Sequence, residues 1–224
     1  MVVIDVLNDA GGRELLLNKY GLRKVPVLAK GDKYAFGQML DPFAKFAGLP
    51  MPGADRLSPA QLYQKYEMIF AAGQRYARQF PPDKFLERVI PHRERLIRTL
   101  CYHVFRIGES FLETWDGAEY SVTIADNEPP EDMLSGDDVG RYGAAVWQRF
   151  EAWWRGLDDR SLSRVLKTYY GDTEAHKVFE RVTWHSGQHC RQLIAVLERM
   201  EIKPDGALTP ADFAGLPMPE RLWE

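Results

Sequence analysis

The chain has 224 residues, 45% hydrophobic and 27% charged, with 29 Lys and Arg against 32 Asp and Glu for a formal net charge of -3. That composition can bury a core, which excludes a disordered polyelectrolyte, and its near-balance of charge argues against a general nucleic-acid binder. No run of 18 apolar residues is present, so no membrane span is expected. Two cysteines, Cys101 and Cys190, cannot build the disulfide framework of a small secreted domain.

Residues 1–49 read as mixed α/β. The N-terminus has neither a basic region nor a long apolar stretch, so a cytoplasmic protein without a signal peptide is expected. Val2 to Leu7 is a short β-branched run of the kind that forms a buried strand. Asn8-Asp9 can cap a helix over roughly Gly11 to Lys19, which Gly21 would end. Lys24 to Ala29 reads as a second strand, Gly31-Asp32 as a turn, and Lys33 to Phe36 as a third strand. Asp41-Pro42 then opens a helix ending at Gly48. Residues 50–57 are dense in Pro and Gly and read as a linker.

From Ser58 to residue 224 the pattern is helical. Ser58-Pro59-Ala60-Gln61 is a capping box with proline at the first helical position. Leu62, Tyr66, Ile69, Gly73 and Tyr76 share one face at helical spacing. A second helix is expected from about Pro91 to Trp115, its face formed by Leu96, Leu100, His103, Ile107 and Ser110. Residues 116–136 read as a long loop with a strand over Tyr120 to Ile124. The third helix starts near Asp137-Asp138 and shows Val139, Gly143, Val146, Phe150 and Trp153 on one face. Residues 158–172 are irregular, with Leu166 to Tyr170 extended. The fourth helix runs from about Thr173 to Met200 and stops before Pro204 and Gly206, and a Pro-rich tail follows. Four amphipathic helices of this length predict a mainly α protein built on a four-helix bundle.

The histidines carry the candidate chemistry. His185 and His189 are four residues apart, so on a helix they lie within about 40° of each other. Both fall inside the apolar stripe of Val182, Leu193, Val196 and Met200, away from the polar face of Glu180, Arg191 and Glu198. His103 falls in the apolar stripe of the second helix. Three imidazoles thus point into the bundle from two helices. A buried polar group without a partner costs roughly 1–3 kcal/mol, and a divalent metal is one shared explanation. An i, i+4 pair of imidazoles spans a metal ion, and three protein ligands leave a position for water or substrate. The other explanation is that the histidines pair with polar groups of the core. His92 and His176 stand near helix starts and read as surface or capping residues.

The segment Arg181-Val-Thr-Trp-His-Ser-Gly-Gln-His-Cys-Arg-Gln-Leu193 resembles the last helix of the DinB/YfiT-like superfamily. Leu100-Cys-Tyr-His103 resembles that family's first histidine, and Ala214-Gly-Leu-Pro-Met-Pro-Glu-Arg-Leu-Trp223 is similar to its C-terminal ending. The resemblance covers residues 58–224 in order and helix count. It implies an up-down four-helix bundle, often dimeric, with a divalent metal on His103, His185 and His189, Zn or Ni by ligand type. It also implies a metal-dependent transferase or isomerase that uses a low-molecular-weight thiol such as glutathione. With water in the open position a hydrolase is the other catalytic reading. A small-molecule thiol or electrophile is the expected partner, and charge and hydropathy point to neither nucleic acid nor membrane. A non-catalytic metal- or ligand-binding stress-response protein is the alternative, and a purely structural dimer is a third reading.

The N-terminal segment resembles something else. Lys24-Val25-Pro26-Val27 followed by Gly31-Asp32-Lys33-Tyr34-Ala35-Phe36-Gly37 is similar to the second half of a glutaredoxin/thioredoxin-like domain. The resemblance implies a cis bond at Pro26 and a Val25 backbone offered to a thiol peptide, so Val25 and Pro26 are candidate cofactor-binding residues. The first strand, the Cys-x-x-Cys motif and its helix have no counterpart, so no dithiol chemistry is expected there. The start at Met1-Val2-Val3-Ile4 reads as such a fold entered one strand and one helix late: either residues upstream complete it, or a truncated half-domain survives as a cap on the bundle.

The remaining candidates read as structural. Cys101 points away from the histidine stripe and Cys190 sits at its edge, so both are expected in the core. Trp153, Trp154, Tyr169, Tyr170 and Trp184 either line a pocket over the metal or pack the core. Trp184, far from the apolar centre of its helix, is expected to contact the N-terminal part, the tail or another subunit.

Overall fold

The computed structural model describes residues 2–6, 9–22, 25–37, 40–49, 56–89, 95–121 and 127–223. The chain divides into two units, Met1–Arg56 and Leu57–Glu224. Of the linker expected at 50–57, residues 50–55 lie outside the described residues.

In the first unit the order is helix, strand, strand, helix: α1 (Ala10–Tyr20), β1 (Val27–Lys30), β2 (Lys33–Phe36) and α2 (Leu40–Ala47). Asp9 caps α1 by accepting from the Gly12 amide, and Gly21 ends it at φ 68°, where its amide donates to the carbonyls of Leu16 and Leu17. β1 and β2 form an antiparallel hairpin with Val27 opposite Phe36 and Lys30 opposite Lys33. The Val25–Pro26 bond is cis. The strand expected over Val2 to Leu7 is not formed across its described part, residues 2–6. Val2 and Val3 are 86% and 82% exposed. The only sheet of this unit among the described residues is the two-stranded hairpin, and a strand exists only where its backbone groups find a neighbour to pair with.

The second unit is a bundle of four long helices: α3 (Pro59–Gln79), α4 (Ile97–Trp115), α5 (Gly136–Arg155) and α6 (Ala175–Arg199). Ser58 and Gln61 form the expected capping box at the start of α3, and Ser135 and Asp138 form a second at the start of α5. The marked faces of α3 and, apart from the half-buried Trp153, of α5 are buried, whereas α4 is buried nearly all round and Glu180, expected on the polar face of α6, is buried as well. Leu62, Tyr66, Ile69, Gly73 and Tyr76 of α3 are all buried, as are Val139, Gly143, Val146 and Phe150 of α5.

The helices do not alternate in direction as a simple up-down bundle would. Leu57 meets His176, Tyr66 meets Ser186 and Gln79 meets Lys203, so α3 and α6 run parallel. His103 faces His189 and Phe111 faces Phe179, so α4 runs against α6. Tyr102 stacks on Tyr142 and Trp115 packs on Trp153, so α4 and α5 run the same way. The chain therefore goes up, down, down, up. α3 and α4 each pack against both α5 and α6 and lie diagonally across the bundle. Such an arrangement needs a connection that returns along the length of the bundle, and residues 116–135 between α4 and α5 are long enough to provide it.

The second helix starts at Ile97 rather than near Pro91. Residues 85–89 and 95–98 instead pair backbone to backbone: Ile97 N donates to Glu87 O at 3.0 Å, Arg98 N to Phe85 O at 2.9 Å and Val89 N to Arg95 O at 3.0 Å. This turn buries Phe85 and Val89 in the core. Residues 90–94, with His92, lie outside the described residues. A short hairpin, β3 (Val165–Leu166) with β4 (Thr173–Glu174), precedes α6, and Tyr120 bridges to Thr168. The rest of the strand expected to Ile124 lies in residues 122–126, outside the described residues. No helix of the described residues is long and apolar enough to cross a membrane.

Candidate metal centre

α4 and α6 pack along each other, and at one level their facing side chains are imidazoles. The His185 and His189 rings lie 4.8 Å apart, centroid to centroid. His103 lies 4.8 Å from His189 and 5.7 Å from His185. One nitrogen from each ring falls within 4.8 Å of the others. His103 and His189 are 5% and 4% exposed, and His185 is half-buried.

The surroundings of the three rings hold them in the neutral form. Burial, the neighbouring imidazole of His189 and the guanidinium groups of Arg95 and Arg106 push His103 well below the usual histidine range. Burial, the other two imidazoles, Arg181 and Arg95 do the same to His185. His189 is pushed down to about 4, mainly by burial, against the upward pull of its hydrogen bond to Gln192. Metal binding requires deprotonated ligands, so rings that are already neutral at pH 7 release no proton on coordination.

The tautomer of His189 follows from the neighbouring amide. His189 Nδ1 lies 2.7 Å from Gln192 Oε1, and Gln192 Nε2 donates to the Leu222 carbonyl at 2.9 Å. Only the NH2 of Gln192 can face a carbonyl oxygen, so Oε1 faces the ring and Nδ1 must carry the proton. The lone pair is left on Nε2, which is buried without a hydrogen-bond partner, as is His185 Nδ1. Unpartnered nitrogens in a buried cluster fit a cation. Three imidazole nitrogens are a donor set suited to an ion such as zinc. Among the described residues no fourth histidine, cysteine or carboxylate joins the group.

The cysteines behave as the sequence suggests. Both are free and buried. Cys190 donates its thiol to the Ile69 carbonyl at 3.6 Å, and burial pushes it up to about 12. Burial raises the Cys101 thiol as well. A thiol held protonated this way is neither nucleophile nor ligand. His176 sits at the start of α6 and donates Nε2–H to the Leu57 carbonyl at 2.9 Å, fixing the entry to α3.

The aromatic candidates separate. Trp184 stacks on His185 at 5.5 Å with rings 28° apart, and Arg181 lies over Trp184 and over Tyr170. Trp184 and Arg181 thus border His185, and Tyr170 lies one contact further out. Trp184 packs, partly buried, on the core of its own unit, because the pair with His185 and Arg181 covers its face. Trp153 belongs elsewhere, against Phe111 and Trp115. Trp154 stacks on Tyr63 beside a surface depression of about 460 Å³ that also contains Glu67 and Arg160. None of the three histidines lines that depression. In the first unit, Pro26 has no N–H, and its carbonyl accepts from Gly37 N at 2.8 Å.

Histidine counting alone does not reach Gln192, yet the signal is in the sequence. It stands three residues after His189, one turn away on the same face, and a ligand imidazole requires a partner for its second nitrogen.

Fold and site together define a helical bundle with a buried three-histidine group that could hold a metal ion. No family model matches the chain, and neither a curated protein nor a solved structure does so.

Proposed function

We propose that this chain is a DinB/YfiT-like protein in which His103, His185 and His189 bind Zn²⁺ or Ni²⁺ through three imidazoles, leaving a coordination position for a low-molecular-weight thiol or water in a transfer, isomerisation or hydrolysis reaction. One observation carries the reading: three neutral imidazoles converge within 4.8 Å with no fourth ligand among the described residues, whereas a purely structural site is closed by a fourth protein ligand. When bound, the ion supplies Lewis acidity, which lowers the pKa of a thiol or water brought to it. The chain does the rest. Gln192 holds His189 in the tautomer that presents Nε2, and Trp184 packs against the His185 ring. Arg181, between Tyr170 and Trp184, adds positive charge beside the group, which favours a thiolate or an anionic substrate over a cationic one.

Elemental analysis of the purified protein tests the metal. About one equivalent of zinc or nickel is expected in the wild type and negligible metal in His189→Ala. Equal, negligible metal in both refutes the site. Calorimetric titration of the metal-loaded protein with glutathione tests the thiol, and absence of heat removes that substrate class.

A further inference from the structure

The C-terminal tail is tied to α6 by three side chains from the turn that carries His189. Gln188 Nε2 donates to the carbonyls of Arg221 and Leu222 at 3.0 and 2.8 Å. Arg191 donates to the Pro219 carbonyl at 2.7 Å and to Gln188 Oε1 at 2.8 Å. Gln192 spans the two partners, with Oε1 on His189 and Nε2 on Leu222. Gln188, His189 and Gln192 are all buried, so these bonds are little exposed to competition from water.

The Gln192 amide is asymmetric, and the tail fixes which end faces the imidazole. With the Leu222 carbonyl in place, the NH2 points to the tail and the oxygen to His189 Nδ1. Without that carbonyl the amide is free to turn over and offer NH2 to Nδ1. Nδ1 would then be the acceptor, the proton would move to Nε2, and the nitrogen facing the other imidazoles would lose its lone pair. We propose that the tail segment Pro219–Leu222 sets the metal-competent tautomer of His189 through Gln192, so that tail docking and metal binding are coupled. The inference rests on the three-histidine metal reading and adds Gln192 as a positioning residue. Coupling is reciprocal: a docked tail strengthens metal binding, and bound metal must hold the tail in place.

The contacts to the tail are all made to its backbone carbonyls. The coupling therefore depends on the path of residues 219–222 and little on their side chains.

The test uses the full chain and zinc ion, with affinity read by competition against a chromogenic chelator and folding checked by circular dichroism. Gln192→Leu removes both ends of the link, and its zinc affinity is expected to fall about 10- to 100-fold, the usual cost of losing such a partner. Gln192→Glu keeps an acceptor for Nδ1–H without the tail, so it is expected to retain most of the wild-type affinity. Gln188→Leu touches only the tail and Arg191, and a loss of about threefold or more is expected. A fourth measurement needs no variant: saturating zinc slows hydrogen exchange at the amides of residues 220–223 of the wild type. Gln192→Leu binding zinc within about twofold of the wild type, or tail exchange unchanged by saturating zinc, overturns the inference and leaves the metal site standing. A wild type that binds no zinc or nickel overturns both.

Discussion

The layer of Tyr66, Phe70, Phe111, Phe150 and Phe179 and the layer of His103, His185 and His189 belong to the same bundle, about two turns apart along α4. The first draws a ring from every helix. Tyr66 packs edge-on to Phe150 at 5.1 Å, Phe111 stacks on Phe150 at 6.0 Å, and Phe111 meets Phe179 at 5.2 Å. All five side chains are fully buried. The second layer draws on α4 and α6 alone and leaves two buried nitrogens without partners. The aromatic layer stabilises the fold through area removed from water and edge-to-face contacts. The histidine layer costs stability when no cation is present, because neutral polar groups are desolvated without compensation. The aromatic core and the proposed metal site thus occupy different levels of one bundle. The seam between them is Ser186, whose hydroxyl donates to the Val104 carbonyl at 2.8 Å and meets the Tyr66 hydroxyl at 3.2 Å. That pair satisfies the polar atoms at the boundary.

The division predicts effects that fall on one layer and spare the other. Phe150→Ala leaves a cavity in contact with Tyr66, Phe70, Phe111 and Phe179, and a loss of about 3–5 kcal/mol is expected in chemical denaturation. The zinc affinity of the folded protein should stay within about threefold of the wild type. A large loss of affinity would show that the aromatic layer also positions the ligands.

Acid acts on the other layer. His189 is held at about 4 in the folded, metal-free protein, below the unfolded value near 6.5. The unfolded chain therefore binds more protons in between. The stability tied to this ring is complete above about pH 6.5 and is lost as the pH falls toward 4, by about 3 kcal/mol. His103 and His185 shift in the same direction. Denaturation midpoints of the metal-free protein at pH 7, 6, 5 and 4 should fall steeply, and His189→Gln should show a shallower fall. Identical profiles for the two proteins would assign the acid sensitivity to other groups.

Tyr66→Phe at the seam should have the smallest effect. It removes one hydroxyl and leaves Ser186 bonded to Val104, so about 0.5–1.5 kcal/mol is expected with zinc affinity unchanged. A tenfold change in affinity would mean that the two layers communicate through Ser186.

Within the bundle, much was legible before any coordinates. The faces of α3 and α5 and their capping boxes are written in residue spacing, because helix periodicity puts i, i+3 and i+4 side chains on one side. The same arithmetic placed His103, His185 and His189 on interior faces. The direction of each helix was not legible. Three connections of 17 to 20 residues, each long enough to return along the bundle, allow several arrangements, and only packing between faces selects up, down, down, up. The start of α4 was misplaced because burying Phe85 and Val89 outweighs the helical tendency of the residues before Ile97. Val2 to Leu7 carries strand propensity, but propensity supplies no pairing partner.

The sequence by itself determined the helical class, the buried faces of α3 and α5 and the presence of three imidazoles in apolar stripes, since all of these follow from local periodicity, while the burial of α4 on nearly every side came from its position between α5 and α6. It did not determine that the three rings meet. His103 and His189 stand 86 positions apart in the chain, and their 4.8 Å separation exists only because α4 and α6 pack antiparallel. Nor did it determine that the tail, through Gln192, fixes the proton on Nδ1 of His189. Long-range contacts of that kind depend on how whole elements dock, and docking is decided by the fit of complete faces against one another.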